Sequence, residues 1–175
     1  LGSSSALYQV GRSLKKKTIW GGEDPYPEIY TFLSGSDDYL QLRGFPSSLS
    51  TKETAIICLD ISNIERSIPC LSEDREDSLL VNIDHHADNE AYGDINIISP
   101  DSSSTGEILW SLFNAWDISI SPGIATAIYT AIMTDTGNFA YQNTRAETLA
   151  FASEAIRSGA IPSEIYRLVY HNQTL

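Results

Sequence analysis

The sequence predicts an α/β fold built on parallel strands, and three features point to it. Ala55-Ile56-Ile57-Cys58-Leu59 and the run from Leu79 to Ile83 are short, apolar and rich in β-branched residues, the composition of a parallel strand buried on both faces. Each run stops at an aspartate, Asp60 and Asp84, and open α/β sheets collect ligands just beyond the carboxyl ends of their strands. Between Pro122 and Met133, Ile124, Ala127, Ile128, Ala131 and Ile132 describe a strongly apolar helix, expected at the centre of the core.

From the N-terminus, Ser3-Ser4-Ser5 ahead of Ala6, Leu7, Val10 and Leu14 predicts a capped amphipathic helix. Lys15-Lys16-Lys17 closes it, where cations suit the negative end of the helix dipole. A solvated helix end accounts for that run, with phosphate binding as the alternative. Thr18-Ile19-Trp20 predicts a short strand stopped by Gly21-Gly22. Ile29, Phe32 and Leu33 fall at helical spacing within 25–33, and 34–51 reads mostly as loop. Residues 94–98 are a further strand candidate. Ser104-Thr105-Gly106-Glu107 is a Ser-x-x-Glu capping box ahead of Ile108, Leu109, Leu112 and Phe113, and a helix start explains it. The central helix runs into Thr134-Asp135-Thr136-Gly137-Asn138-Phe139. An aspartate at a helix C-terminus is electrostatically disfavoured, so Asp135 calls for a partner: a cation, or the ordinary turn that Gly137 announces. Residues 146–158 and 162–170 predict two more helices, split by Gly159 and Pro162, and His171 comes last as an exposed terminal feature.

Composition narrows the function. The chain has 175 residues, 42% of them hydrophobic, enough for one domain with a packed core. Its net charge of -12, from 23 acids against 11 bases, repels long polyanions, so a long nucleic acid duplex is not an expected partner. A small phosphorylated substrate stays compatible, provided metal ions supply positive charge locally. With no run of about 18 apolar residues, no membrane span is expected, and the first residues carry neither the basic nor the apolar region of a secretory leader. Of the two cysteines, Cys58 lies in a strand pattern as a buried free thiol, Cys70 supplies no framework, and a reducing cytoplasm fits best.

The chemistry concentrates at the end of the second core strand, in Asp84-His85-His86. Two of the three histidines in the chain sit there. Consecutive residues of an extended strand face opposite ways, so these groups converge only if the strand turns at its tip. A pair of satisfied surface histidines is the plain reading; the concentration favours a metal or phosphate site. Asp60, Asp84, His85, His86 and Asp135 all fall at the ends of apolar elements. Mixed Asp/His donors suit Mn²⁺, Mg²⁺ or Zn²⁺ in a non-structural site. Two ions bridged by one carboxylate form a clamp for displacement at phosphorus, and an imidazole outside the metal shell can hold a phosphoryl oxygen or protonate a leaving group. Dinucleotide, nucleoside-triphosphate and nucleophilic-serine motifs do not occur.

Asp84-His85-His86, with Asn89 three residues on, resembles the signature of the DHH phosphoesterase family. Leu59-Asp60 is similar to that family's second motif, and Thr134-Asp135-Thr136-Gly137-x-Phe139 to its fourth. Ser103-Ser104-Thr105-Gly106-Glu107 and Pro162-Ser163-Glu164-Ile165-Tyr166 resemble the oligoribonuclease (nanoRNase) and 3′-phosphoadenosine-5′-phosphate (pAp) phosphatase branch. The resemblance implies a parallel sheet of about five strands with helices on both faces, a three-layer α/β/α domain. It implies two divalent cofactor ions, Mn²⁺ or Mg²⁺, with Asp60 bridging them and His85 and Asp135 completing the second ion's shell. His86 would contact the scissile phosphate, with Asp84 supporting the histidines; both are therefore expected as catalytic. Family members open on a strand ending in His-x-x-Pro-Asp-x-Asp. Residues 1–175 are therefore expected to be the DHH domain without its first strand and that metal motif, and without the C-terminal substrate-binding domain. The implied activity is metal-dependent hydrolysis of short oligoribonucleotides or of a nucleotide 3′-phosphate, in the cytoplasm and away from membranes; a homodimer is left open. Cyclic dinucleotide hydrolysis, pyrophosphatase or exopolyphosphatase activity, and a catalytically inactive module binding nucleotide or a partner protein, are the alternatives.

Overall fold

A computed structural model describes residues 1–46, 49, 51–69, 71, 75 and 78–171; Cys70 lies outside the described residues. The chain divides into two compact units: Leu1–Trp20, Tyr26–Tyr39 and Ser102–Leu175 form one, Gly21–Pro25 and Leu40–Asp101 the other.

The first unit is helical. It holds α1 (Gly2–Ser13), α2 (Thr105–Ala115), α3 (Pro122–Asp135), α4 (Ala146–Arg157) and α5 (Pro162–Tyr166), which runs on into a π-helical turn, Arg167–His171. As predicted, α3 is the central helix. Pro122 at its first turn and Ser121, whose Oγ accepts the N–H of Ile124, start it. Residues from Ile124 to Met133 are buried almost continuously because α1, α2 and α4 pack around it. The α1–α3 approach is close: a Cβ at Gly2 would lie 2.5 Å from the Ala127 carbonyl oxygen. The serines expected to cap α1 do something else. The helix starts after Leu1 with no side-chain cap, and Ser3 and Ser5 are buried within it, Ser5 Oγ donating to the Ser34 carbonyl at 3.0 Å. The Ser5 hydroxyl thus ties the helix to the segment between two 3₁₀ turns, which a pattern of serines before apolar residues cannot distinguish from a cap.

The helix expected within 25–33 reduces to a 3₁₀ turn, Glu28–Tyr30. Pro27 ahead of it and Gly35 in the left-handed region behind leave too little chain to propagate an α-helix. The stretch that reads as loop from 34 to 51 contains a second 3₁₀ turn, Ser36–Asp38, and a strand, β2 (Tyr39–Gln41). That strand pairs with β1 (Trp20–Gly22), which begins where the sequence-predicted strand ends and includes both glycines. Trp20 sets this position: its buried ring contacts those of Tyr8, Tyr26 and Tyr39 at 5.4–5.6 Å between centroids.

The second unit carries the parallel sheet, confirming the α/β class. β3 (Ala55–Leu59), β4 (Leu79–Asp84) and β5 (Ile95–Ile98) lie in the order β3-β4-β5 with both pairings parallel. This sheet has three strands among the described residues, against the five or so implied for a whole family domain. One face packs Cys58 and Leu80 against Phe45, Leu71 and Tyr92, and Cys58 is a free, buried thiol as expected. The other face carries Ile57, Leu79 and Ile95, which are 42%, 42% and 46% exposed. The predicted burial of β3 on both faces is therefore corrected. An apolar run shows that both faces tolerate a dry environment, whereas among the described residues β3 lies at the end of the strand order and one face is only partly covered. No helix among the described residues is long and apolar enough to cross a membrane.

Candidate metal centre

The parallel register sets the site. Leu59 pairs with Ile83, so β3 and β4 finish level with each other and deliver Asp60 and Asp84 to the same end of the sheet. Two backbone bonds extend the pairing past the apolar runs: Asp60 N–H donates to the Ile83 carbonyl at 3.1 Å, and Ser99 N–H to the Asp84 carbonyl at 3.0 Å. Asp60 itself has φ of 64°, a left-handed conformation that costs a non-glycine residue about 1 kcal/mol or more and that aspartate tolerates better than most. The chain thus leaves the sheet sharply at Asp60.

β4 also ends abruptly, and Asp84 organises the residues just beyond it. Its carboxylate is fully buried and uses both oxygens. Oδ1 accepts the His85 N–H at 2.8 Å and lies 2.7 Å from His86 Nδ1; Oδ2 accepts Asn89 Nδ2 at 2.6 Å. These bonds solve the alternation problem posed by three consecutive polar groups, because the backbone bends to meet one buried carboxylate. With Nδ1 of His86 protonated toward Asp84, Nε2 is left for an outside partner. The His86 side chain is 42% exposed.

His85 points the other way. Its Nε2 lies 3.4 Å from Asp60 Oδ1, and the two imidazole rings are 4.6 Å apart at 53°. One ligand atom from each of Asp60, Asp84, His85 and His86 can be chosen so that all four lie within 4.8 Å of one another. Two donors bound at about 2.0–2.2 Å to one ion are separated by at most ~4.4 Å. Asp60 Oδ1 and His85 Nε2, 3.4 Å apart, already fall within that span, and a carboxylate with an imidazole suits Mn²⁺, Mg²⁺ or Zn²⁺.

Two asparagines support this arrangement. Asn89, which the sequence marks only as part of a motif, donates to Asp84 and to the Ile61 carbonyl at 3.2 Å, and its Oδ1 accepts Ala91 N–H at 2.8 Å and Asn82 Nδ2 at 2.9 Å. Asn82 falls inside the run that predicts an apolar strand. It is fully buried, and its Oδ1 has no hydrogen-bond partner among the described residues. A polar side chain inside an apolar run is the available sequence signal for it.

Asp135 belongs to the helical unit, as the last residue of α3. Its carbonyl accepts Asn143 Nδ2 at 3.1 Å, and the same amide donates to the Ser103 carbonyl at 3.1 Å. The turn after it is tightly wound, with Gly137, Asn138 and Phe139 all at positive φ; Thr136 Oγ1 holds it by donating to the Ile132 carbonyl and accepting Phe139 N–H. The neighbouring Tyr30 phenol is pushed up in pKa by burial first, then by the charges of Tyr170 and Asp135. Glu107 does only half of what a capping box requires. Ser104 Oγ accepts its N–H, but its buried carboxylate accepts the N–H and hydroxyl of Ser103 and lies 3.6 Å from Arg145.

Known proteins share this arrangement of chain. The DHH family, N-terminal domain, matches residues 1–132. The bifunctional oligoribonuclease and PAP phosphatase NrnA of Thermus thermophilus is 29% identical over 165 residues, covering 94% of this chain and 48% of its own length. The protein of the same description from Bacillus subtilis is 27% identical over 180 residues, covering 98% and 53%. The crystal structure of an exopolyphosphatase-related protein from Bacteroides fragilis superposes with a TM-score of 0.90 at 31% identity, covering 99% of this chain and 53% of that one. The chain thus spans about half the length of the curated relatives it matches.

Proposed function

The chain belongs to the DHH family, and from that premise we propose that it forms the ion-holding part of a metal-dependent phosphoesterase acting on short oligoribonucleotides or on a nucleotide 3′-phosphate. The observation that carries the proposal is the paired geometry at the strand tips: Asp60 with His85 at 3.4 Å, and buried Asp84 with His86 at 2.7 Å. The first pair offers ion ligands; the second offers an oriented proton donor.

Asp60 and His85 would hold the divalent ions, Asp60 as the ligand common to both, and Mn²⁺ is the ion we assign ahead of Mg²⁺. Asp135 enters on its motif, Thr134-Asp135-Thr136-Gly137-x-Phe139, and is tested separately. When bound, such ions stabilise the negative charge that builds on phosphoryl oxygens during displacement. When His86 carries a proton on each ring nitrogen, Nδ1–H bonds Asp84 and Nε2–H donates a hydrogen bond or its proton to a phosphate oxygen. Asp84 keeps the His86 tautomer and ring orientation, and Asn89 keeps Asp84 in place. The substrate class is supported by the descriptions of the Thermus and Bacillus relatives as oligoribonuclease and PAP phosphatase. The free, buried thiol of Cys58 suits a reducing compartment, and the cytoplasm is the proposed location.

The test is a hydrolysis screen on the full natural polypeptide that contains this chain, with Mn²⁺ or Mg²⁺, comparing a dinucleotide, pAp, a cyclic dinucleotide and pyrophosphate. Fastest turnover of the dinucleotide or pAp, abolished by chelation, is expected. The same screen on Asp135→Ala is expected to show a loss of turnover. Activity that survives chelation, or that is confined to pyrophosphate, contradicts the proposal.

A further inference from the structure

Tyrosines gather on the helical unit next to Asp135. Tyr141 is 62% exposed, an unusual placement for so large an apolar surface. Its ring lies against Gly137, two residues beyond Asp135: a Cβ built at Gly137 would overlap Tyr141 Cζ and stand 2.5–2.6 Å from both Cε atoms. Any side chain at 137 would therefore displace the ring. Tyr166 and Tyr170 are exposed as well, with centroids 5.1 Å apart. Burial, followed by the nearby phenols of Tyr141 and Tyr166, raises the pKa of Tyr170, which puts the three rings in one neighbourhood.

These rings offer flat π-faces edged by hydroxyls, and the His171 imidazole packs on Tyr166 with centroids 5.4 Å apart at 62°. In a chain of net charge -12, with Asp135 alongside, such a surface does not hold a bare phosphate. It suits the opposite end of a nucleotide, an uncharged planar heterocycle. Aromatic side chains take bases of any sequence, because every base has a π-face. The geometry points to Tyr141, with Tyr166 and Tyr170 beside it, as a stacking site for a nucleobase of the substrate. This assignment rests on the proposed phosphoesterase reading, in which Asp135 is an ion ligand and the phosphate end of the nucleotide lies near it. It accounts for a preference for nucleotides over inorganic phosphates through the rings rather than through a contact with the phosphate.

Two measurements on the full natural polypeptide containing this chain test it. The first is the affinity of adenosine 5′-monophosphate in the presence of Mn²⁺, by calorimetry, for wild type, Tyr141→Ala and Tyr141→Phe. Tyr141→Ala is expected to weaken binding about tenfold and Tyr141→Phe to retain it, since stacking needs the ring and not the hydroxyl. The second is the kinetic split on a dinucleotide, where Tyr141→Ala should raise KM about tenfold and change kcat less than about threefold. Thermal unfolding of each variant checks the fold, and the exposure of Tyr141 makes a stable variant the expectation. Unchanged mononucleotide affinity in Tyr141→Ala overturns the assignment. So does a change of oligomeric state at unchanged affinity, which would show that the rings cover a second copy of the chain. If wild type binds the mononucleotide through Tyr141 but hydrolyses no phosphoester, the catalytic reading fails and the base site stands.

Discussion

Both oxygens of Asp84 are turned inward, onto His85 N–H, His86 Nδ1 and Asn89 Nδ2, so this carboxylate shapes the site more than it binds anything. His86 and His85 consequently differ in role although they are adjacent. His86→Ala should lower kcat much more than it lowers Mn²⁺ affinity, because its Nε2 is free of Asp84 and is assigned to phosphate. His85→Ala should lower Mn²⁺ affinity, because its Nε2 faces Asp60. Calorimetric Mn²⁺ binding together with steady-state kinetics separates the two, and equal losses of Mn²⁺ affinity in both variants would contradict the division. Asp60, Asp84 and the two histidines are legible in the sequence because each interrupts or ends an apolar run. For Asn82 the sequence shows only a strand position, and for Asn89 only a motif position. Their contact joins positions seven apart through a non-repeating loop, and no periodicity encodes such a loop.

At the scale of elements, β3 and β4 emerge where the sequence predicts them, since a continuous β-branched run bounded by polar residues has few other uses. The departures lie where other forces outweighed local pattern: Trp20 shifted β1, Pro27 and Gly35 cut short a helix, and the buried Ser5 tied α1 to the segment between two 3₁₀ turns. The start of β4 is held by a side chain that periodicity also ignores. Asp94 Oδ2 accepts Leu80 N–H at 2.8 Å and pairs with Arg75 Nη1 at 2.8 Å. The Arg75 hydrogen bond, followed by the Leu80 N–H, lowers the Asp94 pKa from its ordinary 3.8. A depressed folded-state value means that the folded chain binds fewer protons. The contact therefore stabilises above pH 3.8 and is lost as pH falls through the folded-state value. The difference in Tm between wild type and Asp94→Ala should be present at pH 7 and shrink below about pH 4. Melting curves from pH 7 to 3 check this, and a pH-independent difference would show that Asp94 acts by packing alone.

For the molecule as a whole, a net charge of -12 repels the anionic substrate proposed for it, so that proposal calls for cations to supply positive charge locally. The class of fold and the four residues that gather at the strand tips are legible from 55–60 and 79–86. The tyrosine surface is not, because its rings come from a turn and from the last helix, and only the folded helical unit gathers them. Ion binding and turnover are both assigned to one shared ligand, Asp60, and on that residue the functional reading stands. The most direct measurement is dinucleotide hydrolysis with Mn²⁺ by Asp60→Ala in the full natural polypeptide. A loss of several orders of magnitude is predicted, while a loss of less than about tenfold would contradict it.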